Sequence, residues 1–187
     1  MGCDIHIITE IRQNGSWVRV EEIPEVLENR NYSTFAFLAG VRNRFNTKGF
    51  EAKGEPDDMS EDTKGTIESW KDDAHSHSYL SLQELVNKDK TDYISIKCKV
   101  VKDFVDEIIK KGGSIPEGIE IEEFTPECLQ DVFAHSFEPL VIAKWQADEE
   151  KTKDYPIFKG IAELKEIAQK YAIENYEDIR IVFFFDN

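Results

Sequence analysis

The residues best suited to chemistry in this chain sit in two short phrases. One is Gly2-Cys3-Asp4-Ile5-His6 at the start; the other is Asp73-Ala74-His75-Ser76-His77-Ser78. Together they hold three of the four histidines of the chain. Side chains on an extended strand alternate between faces, so Asp4 and His6 share one face and Cys3 takes the other. A carboxylate two residues from an imidazole can give two ligands to a divalent metal, or it can orient a catalytic histidine. The second phrase repeats the Asp-x-His spacing. If extended, it puts Asp73, His75 and His77 on one face and Ser76 and Ser78 on the other. Imidazole and carboxylate are the usual ligands of zinc and manganese. The expected metal set is therefore Asp4, His6, Asp73 and His75. His6, Asp73 and His75 are also the candidate catalytic groups around a metal-activated water. The competing roles are local: a histidine bonded to a strand-end carbonyl, and Asp and Ser residues serving the helix start that Ser81-Leu82-Gln83-Glu84 announces.

Arginines supply the second chemistry. Arg30-Asn31 and Arg42-Asn43-Arg44 place three guanidinium groups close in sequence, and the planar guanidinium fork matches phosphate and carboxylate. With Ser76 and Ser78, the residues Arg30, Arg42 and Asn43 are the expected ligand-binding set, and Trp70 or Tyr79 could stack on a base. Ordinary pairing with surplus acid is the competing role for the arginines. Cys3 points away from His6 by alternation, which argues against a Cys–His nucleophile. The chain has no phosphate-loop signature, no dinucleotide glycine motif, no nucleophile elbow and no HExxH pair.

These groups need a scaffold, and composition allows one. The chain has 187 residues, 40% hydrophobic and 11% aromatic, enough for one domain with a real core. The net charge of −15 argues against wrapping duplex nucleic acid, which requires a basic stripe. It suits divalent cations or a basic protein partner. Cys3, Cys98 and Cys128 are few and far apart, as expected in a reducing compartment. No apolar run reaches the roughly 20 residues of a membrane span, and no signal peptide is recognisable. Cytoplasm is the expected location.

Ile5–Ile11 reads as a strand buried on both faces, Asn14-Gly15 as a hairpin turn and Trp17–Val20 as the returning strand. Phe35, Phe37 and Leu38 head a short helix ending near Gly40. Residues 47–71 read as a long loop with one helical turn after Ser60, and a loop this long is often functional. The apolar spacing of Val100, Val101, Phe104, Val105, Ile108 and Ile109 predicts a helix stopped by Gly112-Gly113. Residues 140–145 fit a strand or a buried helical turn, 161–172 an amphipathic helix, and 179–185 a second strand apolar on both faces. The expected fold is a single α+β domain, with a mainly antiparallel sheet that contains both terminal strands and is packed by helices. One pocket is expected where the first strand ends, bounded by the Arg42 turn, the 47–71 loop and residues 73–78.

The phrases Met1-Gly2-Cys3-Asp4-Ile5-His6, Arg30-Asn31-Tyr32, Leu38-Ala39-Gly40-Val41-Arg42-Asn43, Gly54-Glu55-Pro56-Asp57-Asp58, Asp73–Leu80 and Arg180–Asn187 resemble a family of small bacteriophage and prophage proteins. Its members begin MGCDIH and end in a phrase like RIVFFFDN. The resemblance covers both ends and the first half of the chain; residues 88–175 match less clearly. It implies a phage gene acting in the bacterial cytoplasm and brings no settled activity. In that setting the pocket residues point to a small anionic, nucleotide-like ligand, with metal-dependent phosphate-ester hydrolysis as one form. The alternatives are a non-catalytic protein that sequesters a defence nucleotide signal, and an acidic inhibitor that binds a host protein through residues 117–127 and 148–154.

Overall fold

The computed structural model describes residues 2–126, 139–147 and 152–186. Met1, Cys128, Asn187 and parts of both acidic stretches named above lie outside the described residues. Strand β1 (Asp4–Gln13) turns at Asn14-Gly15, both with positive φ, into β2 (Ser16–Val20), as the hairpin signal predicts. Then follow α1 (Glu25–Glu28), α2 (Tyr32–Ala39), α3 (Glu61–Trp70), β3 (His75–Ser81) and α4 (Leu82–Asn87). The chain continues through β4 (Ser95–Val101), α5 (Lys102–Lys110), β5 (Glu120–Glu123), β6 (Leu140–Gln146), α6 (Pro156–Lys170) and β7 (Ile179–Asp186).

Two antiparallel sheets result. The larger has the order β2-β1-β7-β3 and the smaller β4-β6-β5. The terminal strands β1 and β7 lie side by side, from Asp4 opposite Asp186 to Ile11 opposite Ile179. Each carries apolar residues on both faces because each is covered twice. Ile5, Ile7, Ile11, Ile181, Phe183 and Phe185 enter the main core with residues of α2, α4 and α6. Val182 and Phe184 face the other way, against Ile67 and Trp70 of α3. At about 25 cal/mol per Å² of apolar area removed from water, this two-sided burial is the main force holding β7 in the middle of the sheet.

Three element expectations change. The 47–71 stretch holds a ten-residue helix, α3, whose one deeply buried apolar residue is Ile67; a single anchor leaves almost no periodic signal. The Ser60 hydroxyl accepts the Thr63 amide at its start. Val100 and Val101 close strand β4, so the helix after them begins only at Lys102. The helix expected over 161–172 starts earlier, at Pro156, where a first-turn proline costs no hydrogen bond, while residues 140–146 take the strand alternative. Gly40 ends α2 in the left-handed region, as expected, and Asn31 caps its start. Ser81 and Glu84 form the capping box of α4.

Candidate functional site

Three strand ends meet at one margin of the larger sheet. Asp4 opens β1 opposite Asp186, and His75 opens β3 opposite Phe185. The two quoted phrases therefore arrive at one sheet end, and each is split between the two faces. In β3 the pairing slips between His75 and Ser78: His75 is opposite Phe185 and Ser78 opposite Phe183, three steps against two. This β-bulge places Ser76 at φ +51°, a left-handed conformation unusual for a residue with a side chain. The extra residue flips the alternation. His75 lies against Phe185 on the core face, and His77 lies against Phe184 on the opposite face.

His6 shares the face of His77. Its ring sits 4.1 Å from Trp70 and 5.0 Å from Phe184, and its Nε2 lies 3.3 Å from Asp186 Oδ2. His77 flanks Phe184 on the other side, with Nε2 3.6 Å from Glu55 Oε1. The imidazole partner of His6 across the sheet is thus His77, which strict alternation had placed with His75. His75 Nδ1 is 3.0 Å from the Ser76 hydroxyl. Asp73 is exposed in a 3-10 turn, residues 71–73. The expected metal set of Asp4, His6, Asp73 and His75 does not converge, because the sheet separates His6 from His75. No group of three His, Cys, Asp or Glu side chains converges among the described residues.

The other expected residues divide similarly. Asp4 takes a two-point bond from Arg30, Nε to Oδ1 at 2.8 Å and Nη2 to Oδ2 at 2.5 Å. That bond holds the Asp4 carboxyl below its ordinary range and raises Arg30. A Cβ at Gly2 would meet the Arg30 guanidinium at 2.5 Å, so a side chain here would push the end of Arg30 aside. Ser78 is buried, and its hydroxyl accepts the Lys53 amide, while the Gly54 amide bonds to His77 O; both bonds stitch the 50–54 segment to β3. Within the protein Trp70 packs against His6, and Tyr79 carries the Lys53 and Arg180 cations.

Arg42 and Asn43 belong to a different construction. Arg42 stands at φ +54° just past α2, and its guanidinium bonds the Cys3 thiol. Burial pushes that thiol upward, with Arg42 opposing. Asn43 pinches the turn shut: its Oδ1 accepts the Thr47 amide at 2.7 Å and its Nδ2 donates to Thr47 O at 3.0 Å. The closed turn and the first turn of α2 enclose a pocket of about 200 Å³ lined by Arg42, Arg44, Tyr32, Ser33, Asn43 and Thr47. Two arginines and three hydroxyl residues line it, and two of the latter, Tyr32 and Ser33, sit on the first turn of α2, the positive end of its dipole. Tyr32 and Ser33 carried no chemical signal in the sequence, since first-turn helix residues have no distinguishing pattern. Asp186 and Glu55 became partners only through strand register and loop placement. No family model matches the chain, and neither does any curated protein or solved structure.

Proposed function

We propose that this protein binds a small phosphate-bearing ligand in the pocket between α2 and the 42–47 turn, and holds it without turning it over. The observation that carries the reading is the lining: Arg42 and Arg44 with the hydroxyls of Tyr32 and Ser33, and neither imidazole nor carboxylate among its residues. Paired guanidinium groups match phosphate oxygens. A volume of about 200 Å³ fits a phosphate group with a short substituent and is smaller than the roughly 300–1,000 Å³ of sites that enclose a whole drug-sized ligand. A nucleotide would enter phosphate first and leave its base outside. Binding is favoured over hydrolysis because the His6–Asp186 pair stands on the far face of the sheet from Cys3 and its neighbour Arg42. The resemblance to phage proteins supports a setting in the bacterial cytoplasm, where the ligand would be a phosphorylated signal withdrawn from circulation.

Calorimetric titration with inorganic phosphate and with a nucleoside monophosphate tests this. Saturable binding of both is expected, with at least about a tenfold loss in the folded Arg42→Ala/Arg44→Ala variant, the usual scale for removing charge-assisted bonds. Wild-type affinity in that variant sinks the reading. Mass spectrometry of the recovered nucleotide should find it intact; a dephosphorylated product would restore the hydrolase.

A further inference from the structure

The smaller sheet holds the anion-binding turn in place. Lys97 on β4 stands directly opposite Lys144 on β6. Like charges facing each other across a strand pair are unfavourable, more so when both are buried. Their side chains are only 5% and 10% exposed. Asp92, from the turn before β4, resolves the conflict by giving one oxygen to each: Lys97 Nζ to Oδ2 at 2.6 Å and Lys144 Nζ to Oδ1 at 2.6 Å. Burial opposes its charge, but the two lysines and the Lys48 amide prevail and hold its carboxyl at about 2.

The two lysines differ in what else they touch. An ammonium has three donors, and Lys97 directs one to Asp92, one to Phe45 O at 3.4 Å and one to the Thr47 hydroxyl at 3.2 Å. The same Oδ2 of Asp92 also accepts the Lys48 amide at 2.7 Å. Lys144 reaches only Asp92, Glu120 and Glu122 in these ion pairs. Residues 45, 47 and 48 are therefore tied to the smaller sheet by Lys97 and Asp92. Thr47 is in turn the residue that Asn43 grips between Arg42 and Arg44. We infer that Lys97 and Asp92 are positioning residues for the phosphate pocket. They act through Thr47 and Asn43 to set the two guanidinium groups, which rests on the binding reading above.

The experiment compares Lys97→Met with Lys144→Met. Each substitution leaves Asp92 paired with one lysine; Lys144→Met also releases Glu120 and Glu122, and only Lys97→Met removes the lysine bonds to Phe45 O and the Thr47 hydroxyl. Two readouts are taken: inorganic phosphate affinity, and hydrogen exchange at the Thr47 and Lys48 amides in the ligand-free protein. Lys97→Met should weaken phosphate about tenfold or more, the scale seen when outer partners of ligand-holding groups are lost, and speed exchange at both amides. Lys144→Met should leave both near wild type. Lys97→Arg, which keeps donors in reach of Phe45 O and Thr47, should recover part of the affinity. Equal exchange rates in the two Met variants overturn the positioning role even if phosphate does not bind. If exchange separates the variants but wild type binds no phosphate, the positioning stands and the binding reading falls.

Discussion

Ser76 decides the identity of the site at the sheet margin. Its left-handed backbone makes the bulge, and the bulge sends His75 and His77 to opposite faces. A non-glycine residue held there costs of order 1–3 kcal/mol, offset by the surrounding pairing. Its hydroxyl, 3.0 Å from His75 Nδ1, is part of that compensation. Ser76→Val should destabilise by roughly 1–3 kcal/mol because a β-branched side chain fits this region worst, whereas Ser76→Gly should stay within about 1 kcal/mol of wild type. Chemical denaturation of both variants measures the difference, and equal stabilities would show that the bulge is not strained. Strict alternation made His75 the partner of His6. One inserted residue made it His77 instead, and no composition rule announces an inserted residue.

At the scale of elements, the second face of the larger sheet is held by a buried charge ladder. Glu10 on β1 is fully buried and accepts a hydrogen bond from Arg180 Nε of β7 at 2.9 Å, with Nη2 in ion-pair contact at 2.8 Å. Arg180 Nη1 reaches Asp58 at 2.8 Å, and Asp58 also accepts the Trp17 indole N–H at 2.9 Å. The guanidinium lies 3.9 Å from the Trp17 ring, with Arg12 on that ring as well at 4.7 Å. Glu10 Oε1 takes the Ser60 amide, so the same carboxylate fastens the turn that leads into α3. Removing one member of such a set leaves an uncompensated buried charge. Glu10→Ala should cost about 3–5 kcal/mol, while Glu10→Leu combined with Arg180→Met should cost less than the sum of the single changes. A double-mutant cycle on unfolding free energies checks this; strict additivity would mean that the charges act independently. The capping box, the Asn-Gly hairpin and the Gly40 stop were legible because local bonds carry them. α3 was not, because one buried isoleucine and a charge ladder from distant strands hold it in place.

For the whole molecule, acid should weaken the bonds that Asp92 makes to the smaller sheet and to the 45–48 turn. The Asp92 carboxyl is held at about 2 against an ordinary 3.8. A depressed carboxyl contributes stability that is present above its unfolded value and is lost as pH falls through its folded value. Thermal melts between about pH 4 and pH 2 should therefore lose stability in wild type, and the Asp92→Asn variant should show a shallower slope from a lower starting point. An unchanged slope would mean that the acid-sensitive group lies elsewhere. The sequence by itself determined that this is an α+β protein with apolar terminal strands side by side, since residues buried on two faces cannot sit at an open edge. It also determined the Asn14-Gly15 hairpin after β1 and the stop of α2 at Gly40, because those signals are local. Only the tertiary structure decided which of the candidate site residues meet. Facing depends on register, a single-residue slip reverses it, and the bonds that place the Arg42–Lys48 turn come from Asp92 and Lys97, whose charges read in one dimension as ordinary surface.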